Sequence, residues 1–207
     1  MKVAIVGASG HGKVVADTIL QQHQHALICF FDDDYPAKHI NGIWDVVGTT
    51  KDLLNNASNY DCAIIAIGNN SIRRHKQQQC IDAGVNITSF IHPRASVSPL
   101  ADIGRGVVIL AGAVVNAFAV VGDACIINSN SVVEHDVKLS IAVHVCPGTN
   151  IAGGVEIGAE TWVGIGATVK QLVKIGSKVT IGAGATVIKD VTDNLTIVGS
   201  PAKPLMR

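Results

Sequence analysis

Residues 151–169 read Ile-Ala-Gly-Gly-Val-Glu-Ile-Gly-Ala-Glu-Thr-Trp-Val-Gly-Ile-Gly-Ala-Thr-Val, with an aliphatic side chain at 151, 157, 163 and 169. Small or β-branched residues stand four places later, at Val155, Thr161 and Ala167. Worked outward, the same step holds from Ile91 to Val187: every sixth residue is Ile, Val or Leu, seventeen times in succession and without an insertion. Gly follows the aliphatic at 104, 122, 158, 164, 176 and 182. A period of six is the signature of a parallel β-helix in which each hexad forms one short side. Three sides make a coil of 18 residues, so residues 18 apart stack at about the 4.8 Å strand spacing and residues nine apart fall on opposite flanks.

Residues 1–90 follow another grammar. Lys2–Val6 reads as a buried strand, followed by the glycine-rich turn Gly7–Gly12 and a helix from about Lys13 to Gln22. A strand over 26–31 ends in Asp32-Asp33-Asp34, and one over 62–67 ends in Gly68-Asn69-Asn70 before a polar helix over 71–83. A short strand over 86–91 leads into the hexads. This alternation predicts a small, Rossmann-like parallel sheet with its ligand crevice at the carboxyl ends of the strands, where all three loops lie. The glycine loop offers backbone N–H groups to a phosphate. Its spacing is neither the dinucleotide G-x-G-x-x-G nor a P-loop, which argues against a nicotinamide enzyme. The expected organisation is therefore an α/β domain over 1–90 and a β-helix with a C-terminal tail over 91–207.

The chain of 207 residues carries 16 basic and 16 acidic side chains, so no electrostatic footprint for nucleic acid or an anionic membrane is present. Apolar residues make up 48% but aromatics only 4%, which suits a narrow solenoid interior. No apolar run is long enough for a membrane span, and the N-terminus lacks a signal-peptide cleavage pattern. Five cysteines without paired spacing are expected to be reduced, in a cytoplasmic protein, with Cys125 a core filler.

One cluster departs from the bland repeat: Asn128, then Glu134-His135-Asp136, then His144. A carboxylate beside an imidazole orients it and makes it a better base. His144 lies half a coil from His135, so the two meet only if neighbouring prisms pack side by side. Gly153, one full coil after His135, stacks on it and leaves its backbone N–H approachable. His92, His135 and His144 are too scattered for the three imidazole ligands of a catalytic zinc, and no metal is expected.

The motifs Gly-Ala-Ser-Gly-His-Gly (7–12), Phe-Asp-Asp (31–33), Ala-Ile-Gly-Asn (66–69), Ile-His-Pro (91–93), Glu-His-Asp (134–136) and Val-Gly-Ser-Pro-Ala-Lys (198–203) occur in an order that resembles the hexapeptide-repeat acyltransferases. Within them the chain is similar to the nucleotide-sugar acetyltransferases of the bacillosamine and sialic-acid O-acetyltransferase group. The resemblance implies a left-handed β-helix, against the usual crossover hand. It implies transfer of acetyl from acetyl-CoA to the 4-amino group of a UDP-linked 4-amino-4,6-dideoxy sugar, for bacterial surface glycan or glycoprotein synthesis. His135 would be the base and Asp136 its support; His144 and the Gly153 N–H would contact the thioester carbonyl, and Asn128 the amino sugar. Gly10 and His11 would lie near phosphate, Asp32 and Asp33 near uracil and ribose, with Asn69 nearby. CoA would run past Gly164, Ile165, Gly182 and Ala183. A homotrimer follows from both the half-coil arithmetic and the family's habit. The unbroken hexads lack the protruding loop of many such enzymes, which places acceptor selectivity in the N-terminal domain. Two alternatives stay open: an O-acetyltransferase of the sialic-acid type, and a non-catalytic nucleotide-sugar-binding scaffold.

Overall fold

The computed structural model describes residues 1–205 and divides into two compact units, Met1–Pro93 and the remainder from Arg94. In the first, β1 (Lys2–Val6) is flanked by β2 (Leu27–Phe31) and β5 (Cys62–Ile65), both parallel to it. Continuous apolar strands of this kind need cover on both faces, and Val3, Ala4, Ile5 and Val6 are all buried. The helices α1 (Gly10–Gln22) and α3 (Asn70–Asp82) follow β1 and β5. Helix α1 begins earlier than the expected Lys13, so Gly10 and His11 sit in its first turn rather than in a free loop.

The sequence reading passes over residues 40–55. They form an antiparallel hairpin, β3 (Ile40–Asn41) and β4 (Trp44–Gly48), with β4 parallel to β2, and then helix α2 (Thr50–Asn55). Both had local signals. Gly42 stands first in the two-residue loop Gly42-Ile43, where its positive φ suits a hairpin turn, and Thr49 with Asp52 forms a capping box. The expected strand over 86–91 is reduced to a single bridge, Ala63 to Ile87, and the pair Phe90–Ile91.

The second unit is a left-handed parallel β-helix. Each hexad contributes a two-residue strand. One face stacks Val114–Val115, Val132–Val133 and Asn150–Ile151; the next stacks Val120–Val121, Lys138–Leu139 and Glu156–Ile157; the third stacks Ile126–Ile127, His144–Val145 and Trp162–Val163. Register is i to i+18 throughout these ladders. The sixfold aliphatic position points inward, and Val121, Ile127, Val133, Val145 and Val163 are buried. Polar members of the small-residue row are also inside, and each is satisfied: Thr149 Oγ1 donates to the Gly164 carbonyl at 3.0 Å and Thr161 Oγ1 to that of Gly176 at 2.8 Å.

Fourteen successive corners turn through the left-handed region. From Gly106 to Gly184 each sixth residue has positive φ, including Phe118, Ala124, Asn130, Asp136, Ala142, Glu160, Leu172 and Lys178 as well as six glycines. A non-glycine residue there costs about 1–2 kcal/mol. The stacked ladder thus dictates the turn and overrides local preference. After Val187 the register slips: Thr196 pairs with Thr180, short of a full coil, and Lys203–Pro204 returns antiparallel on Thr196–Val198 to end the prism.

The glycine after the aliphatic has a packing cause. A Cβ on Gly158 would lie 2.5 Å from the backbone of Gly176 and Ser177 in the adjoining coil. Gly158→Ala should therefore destabilise the prism by about 1–3 kcal/mol, read as a lowered urea midpoint; an unchanged midpoint would show that the coils can separate to admit a methyl group.

Candidate active site

His135 occupies the corner after Val132–Val133, exposed, with Nδ1 2.8 Å from Asp136 Oδ2. Asp136 holds the left-handed corner position with φ 59°, a conformation Asp tolerates better than most residues. Its carboxylate accepts the Nδ1 proton, which leaves the lone pair on Nε2 to act as base. Of the two carboxylates flanking His135, only that of Asp136 meets the ring. Glu134 accepts from Asn116 Nδ2 at 2.8 Å and from the His135 backbone N–H at 3.3 Å, and so steadies the turn.

Gly153 lies one coil on, as the repeat predicts. A Cβ there would stand 2.6 Å from His135 Cε1 and Nε2, so the imidazole rests on bare backbone. The Gly154 N–H donates to the His135 carbonyl at 3.0 Å, which locks the two coils at this point.

His144 starts a strand on the third face, half a coil from His135, and is buried rather than a surface group. Its ring packs on Trp162, one rung away, with centroids 4.3 Å apart. Asn128 Oδ1 accepts the Ser129 N–H at 2.8 Å, which turns Nδ2 toward His144 Nε2 at 3.3 Å. An amide nitrogen only donates, so Nε2 accepts and the ring proton resides on Nδ1. Asn128 thereby sets the tautomer of His144. Trp162 escapes the sequence reading although it stands one full coil after His144.

At the corners that follow strands of this face, Ile165 and Ala183 are exposed. The glycines beside them are there for stacking. A Cβ on Gly164 would lie 2.5 Å from the Ile181 carbonyl oxygen, and one on Gly182 2.8 Å from Val198 Cγ1.

In the N-terminal unit, a cavity of about 360 Å³ opens at the carboxyl edge of the sheet, lined among others by Gly7, Ser9, Asp32, Asp33, Gly68 and Lys76. Asp32 is committed to shaping this edge. Its Oδ2 accepts the Ala8 N–H at 2.7 Å and Lys38 Nζ at 3.2 Å, and Oδ1 accepts the Asp34 N–H at 3.1 Å. Asp33 accepts from Lys76 Nζ at 2.5 Å and the Thr50 N–H at 2.9 Å. Partial burial raises the Asp33 carboxyl, but the bonds from Lys76 and Thr50 outweigh it and bring its pKa down to about 2. Asn69 caps α3, its Oδ1 accepting the Ile72 N–H at 3.0 Å. His11 is lowered to about 4 by burial and then by the Arg73 charge, so it is neutral near pH 7. Sequence reasoning misses Lys38, Thr50, Lys76 and Arg73, since lysines and a polar helix carry no local mark of a pocket. Among the described residues, no group of three or more His, Cys, Asp or Glu is arranged to hold a metal. None of the helices there is long and apolar enough to cross a membrane.

A hexapeptide-repeat acyltransferase carrying its own N-terminal α/β domain is the class that this fold and this histidine–carboxylate pair define. Residues 2–80 match the family described as the PglD N-terminal domain. The chain is 30% identical over 177 residues to the GDP-perosamine N-acetyltransferase of Escherichia coli, covering 81% of this chain and 77% of that one. It is 36% identical over 111 residues to the UDP-N-acetylbacillosamine N-acetyltransferase of Bacillus subtilis, covering 53% of this chain and 51% of the relative, about half its length. The acetyltransferase domain of PglB from Neisseria gonorrhoeae, solved in complex with acetyl coenzyme A, superposes with a TM-score of 0.94 at 41% identity, over 99% of this chain and 98% of that one. The chain belongs to the PglD-type family of acetyl-CoA-dependent nucleotide-sugar N-acetyltransferases.

Two of the shifted groups in the N-terminal unit, His11 and Asp33, act over different parts of its acid response. The unfolded chain protonates His11 near 6.5 while the fold resists until about 4, so stability falls as pH drops through that window. Asp33 contributes stability that is present above about 4, its unfolded value, and lost as pH falls toward about 2. Urea midpoints measured from pH 7 to 3 should flatten between 6.5 and 4 in His11→Asn, and below 4 in Asp33→Asn; wild-type slopes in both variants would contradict these assignments.

Proposed function

We propose that this protein transfers acetyl from acetyl-CoA to the 4-amino group of a UDP-linked 4-amino-4,6-dideoxy sugar. The observation that carries the chemistry is the imidazole of His135, tied at Nδ1 to Asp136 and lying over the bare backbone of Gly153. Nε2 takes the proton of the attacking amine as the C–N bond forms at the thioester carbonyl. The tetrahedral intermediate then collapses with cleavage of the C–S bond, and the leaving thiolate takes the proton from Nε2 to depart as the CoA thiol. A positioned base contributes about 10²–10⁴-fold; donors to the developing oxyanion supply more. The Gly153 N–H and the His144 side chain are the groups we assign to that oxygen.

His135 and His144 are half a coil apart, so a single prism does not join them. We place the active site between subunits of a homotrimer, with His135 from one copy and His144 from the next. CoA would pass Gly164, Ile165, Gly182 and Ala183 on the way to the tail. The N-terminal pocket would hold the nucleotide, with Gly10 and His11 toward the diphosphate, Asp33 toward the nucleoside, Asn69 nearby, and Asp32 acting through the Ala8 turn. The Bacillus relative's uridine-linked sugar supports UDP, and the Escherichia relative makes GDP-perosamine the competing acceptor.

Thiol release from acetyl-CoA should appear with a UDP-linked 4-amino sugar and not with free sialic acid; turnover with the GDP-linked sugar alone would reassign the nucleotide. His135→Ala should lower kcat by about 10²-fold or more without unfolding, and a loss below about threefold would remove it as the base. Mixing inactive His135→Ala and His144→Ala chains should restore activity, because one interface in three of each mixed trimer regains both histidines. Roughly a quarter of wild-type turnover is expected from random C3 assembly. No recovery in verified mixed trimers would place the whole site in one chain.

A further inference from the structure

Arg73 is among the largest side chains that are fully buried, and nothing in the chemistry above uses it. It lies in the first turn of α3, directly after the loop Ile67–Asn69. Burying a guanidinium is costly unless its donors are satisfied, and here they are spent on that loop. Nη1 donates to the Ile67 carbonyl at 2.9 Å and to the Gly68 carbonyl at 3.0 Å, and Nη2 to Asn70 Oδ1 at 2.8 Å.

The peptide plane gives this a consequence. In a trans peptide the C=O and the following N–H point in opposite directions. Carbonyls 67 and 68 are drawn onto the guanidinium, so the N–H groups of Gly68 and Asn69 are turned away from it. Neither N–H donates to another group among the described residues. Ile67 and Gly68 line the cavity at the sheet edge. N–H groups presented at the start of a helix suit an anion.

We propose that Arg73 is a positioning residue for the nucleotide-sugar: by holding two carbonyls inward it aims the N–H groups of Gly68 and Asn69 at the diphosphate. A second observation agrees with this place in the fold. The Arg73 charge is felt at His11, in the first turn of α1, so the buried cation acts near the start of both helices that follow the sheet edge. Its positive charge, beneath a pocket that also contains Asp32, Asp33 and Asp34, offsets carboxylates that would otherwise repel a diphosphate.

The inference rests on the reading of this pocket as the nucleotide site, and the experiment separates the two. UDP and GDP binding to the intact protein is measured by calorimetry for wild type, Arg73→Gln and Arg73→Lys, alongside KM and kcat. With a wild type that binds one nucleotide, Arg73→Gln should weaken that binding about tenfold or more, the effect expected from losing hydrogen bonds to a charged donor. Its KM for the nucleotide-sugar should rise in step, while kcat at saturation and the KM for acetyl-CoA stay within about twofold of wild type. Arg73→Lys keeps the charge but cannot span both carbonyls and Asn70, and should fall between the two. Nucleotide affinity unchanged in a folded variant overturns the proposal, as does an equal loss of acetyl-CoA and nucleotide affinity, which marks general disruption. A wild type that binds neither nucleotide removes the pocket reading itself, and the role of Arg73 with it.

Discussion

The constraint on which the second unit depends is the parallel ladder that joins each coil to the next. Each two-residue strand is too short to hold itself, and gains its hydrogen bonds only from the coils before and after. The ladder sets the height of a coil, and the coil height sets what may stand at each of the six positions. Inward positions accept Val or Ile, or a Thr whose hydroxyl reaches a carbonyl of the next coil. The position after the aliphatic accepts Gly wherever two backbones approach, as at Gly158 and Gly164. The corner must turn left-handed, even with Phe118 or Leu172 in it.

Chemistry is built on the positions that this stacking leaves over. His135 sits at a corner whose neighbour along the axis has no side chain, so the ring can rest on Gly153. Asp136 occupies the obligatory left-handed position, which aims its carboxylate back at the imidazole. His144 is immobilised differently, by a ring on the next rung and an amide on its own face. One histidine is thus exposed with a lone pair on Nε2, and the other is buried with its proton on Nδ1. Two identical side chains acquire different roles from their places on the prism.

The N-terminal unit solves a separate problem, how to hold three loops at one edge of a small sheet. It does so with side chains that satisfy backbone groups. Asp32 takes the Ala8 N–H, Asp33 the Thr50 N–H, Asn69 the Ile72 N–H, and Arg73 the carbonyls of Ile67 and Gly68. Residues that read as ligand contacts in the sequence are in part the braces of the loops that carry them.

The amino-acid sequence by itself determined the prism, because an aliphatic row of period six has one way to bury itself and leaves the stacking partners at fixed distances. It determined that Gly153 lies on His135, since three hexads complete one coil, and that His144 stands on another flank, since a hexad and a half is only half of one. It also placed the three N-terminal loops at one sheet edge, through the order of strands and helices. The tertiary structure alone decided contacts between residues with no periodic relation. Asp136 rather than Glu134 meets the ring; Lys76 reaches Asp33 from a distant helix; Arg73 turns inward from a helix whose polar composition suggests a solvated surface. Such pairings depend on side-chain direction and on which neighbours exclude water. Neither quantity is written in residue order.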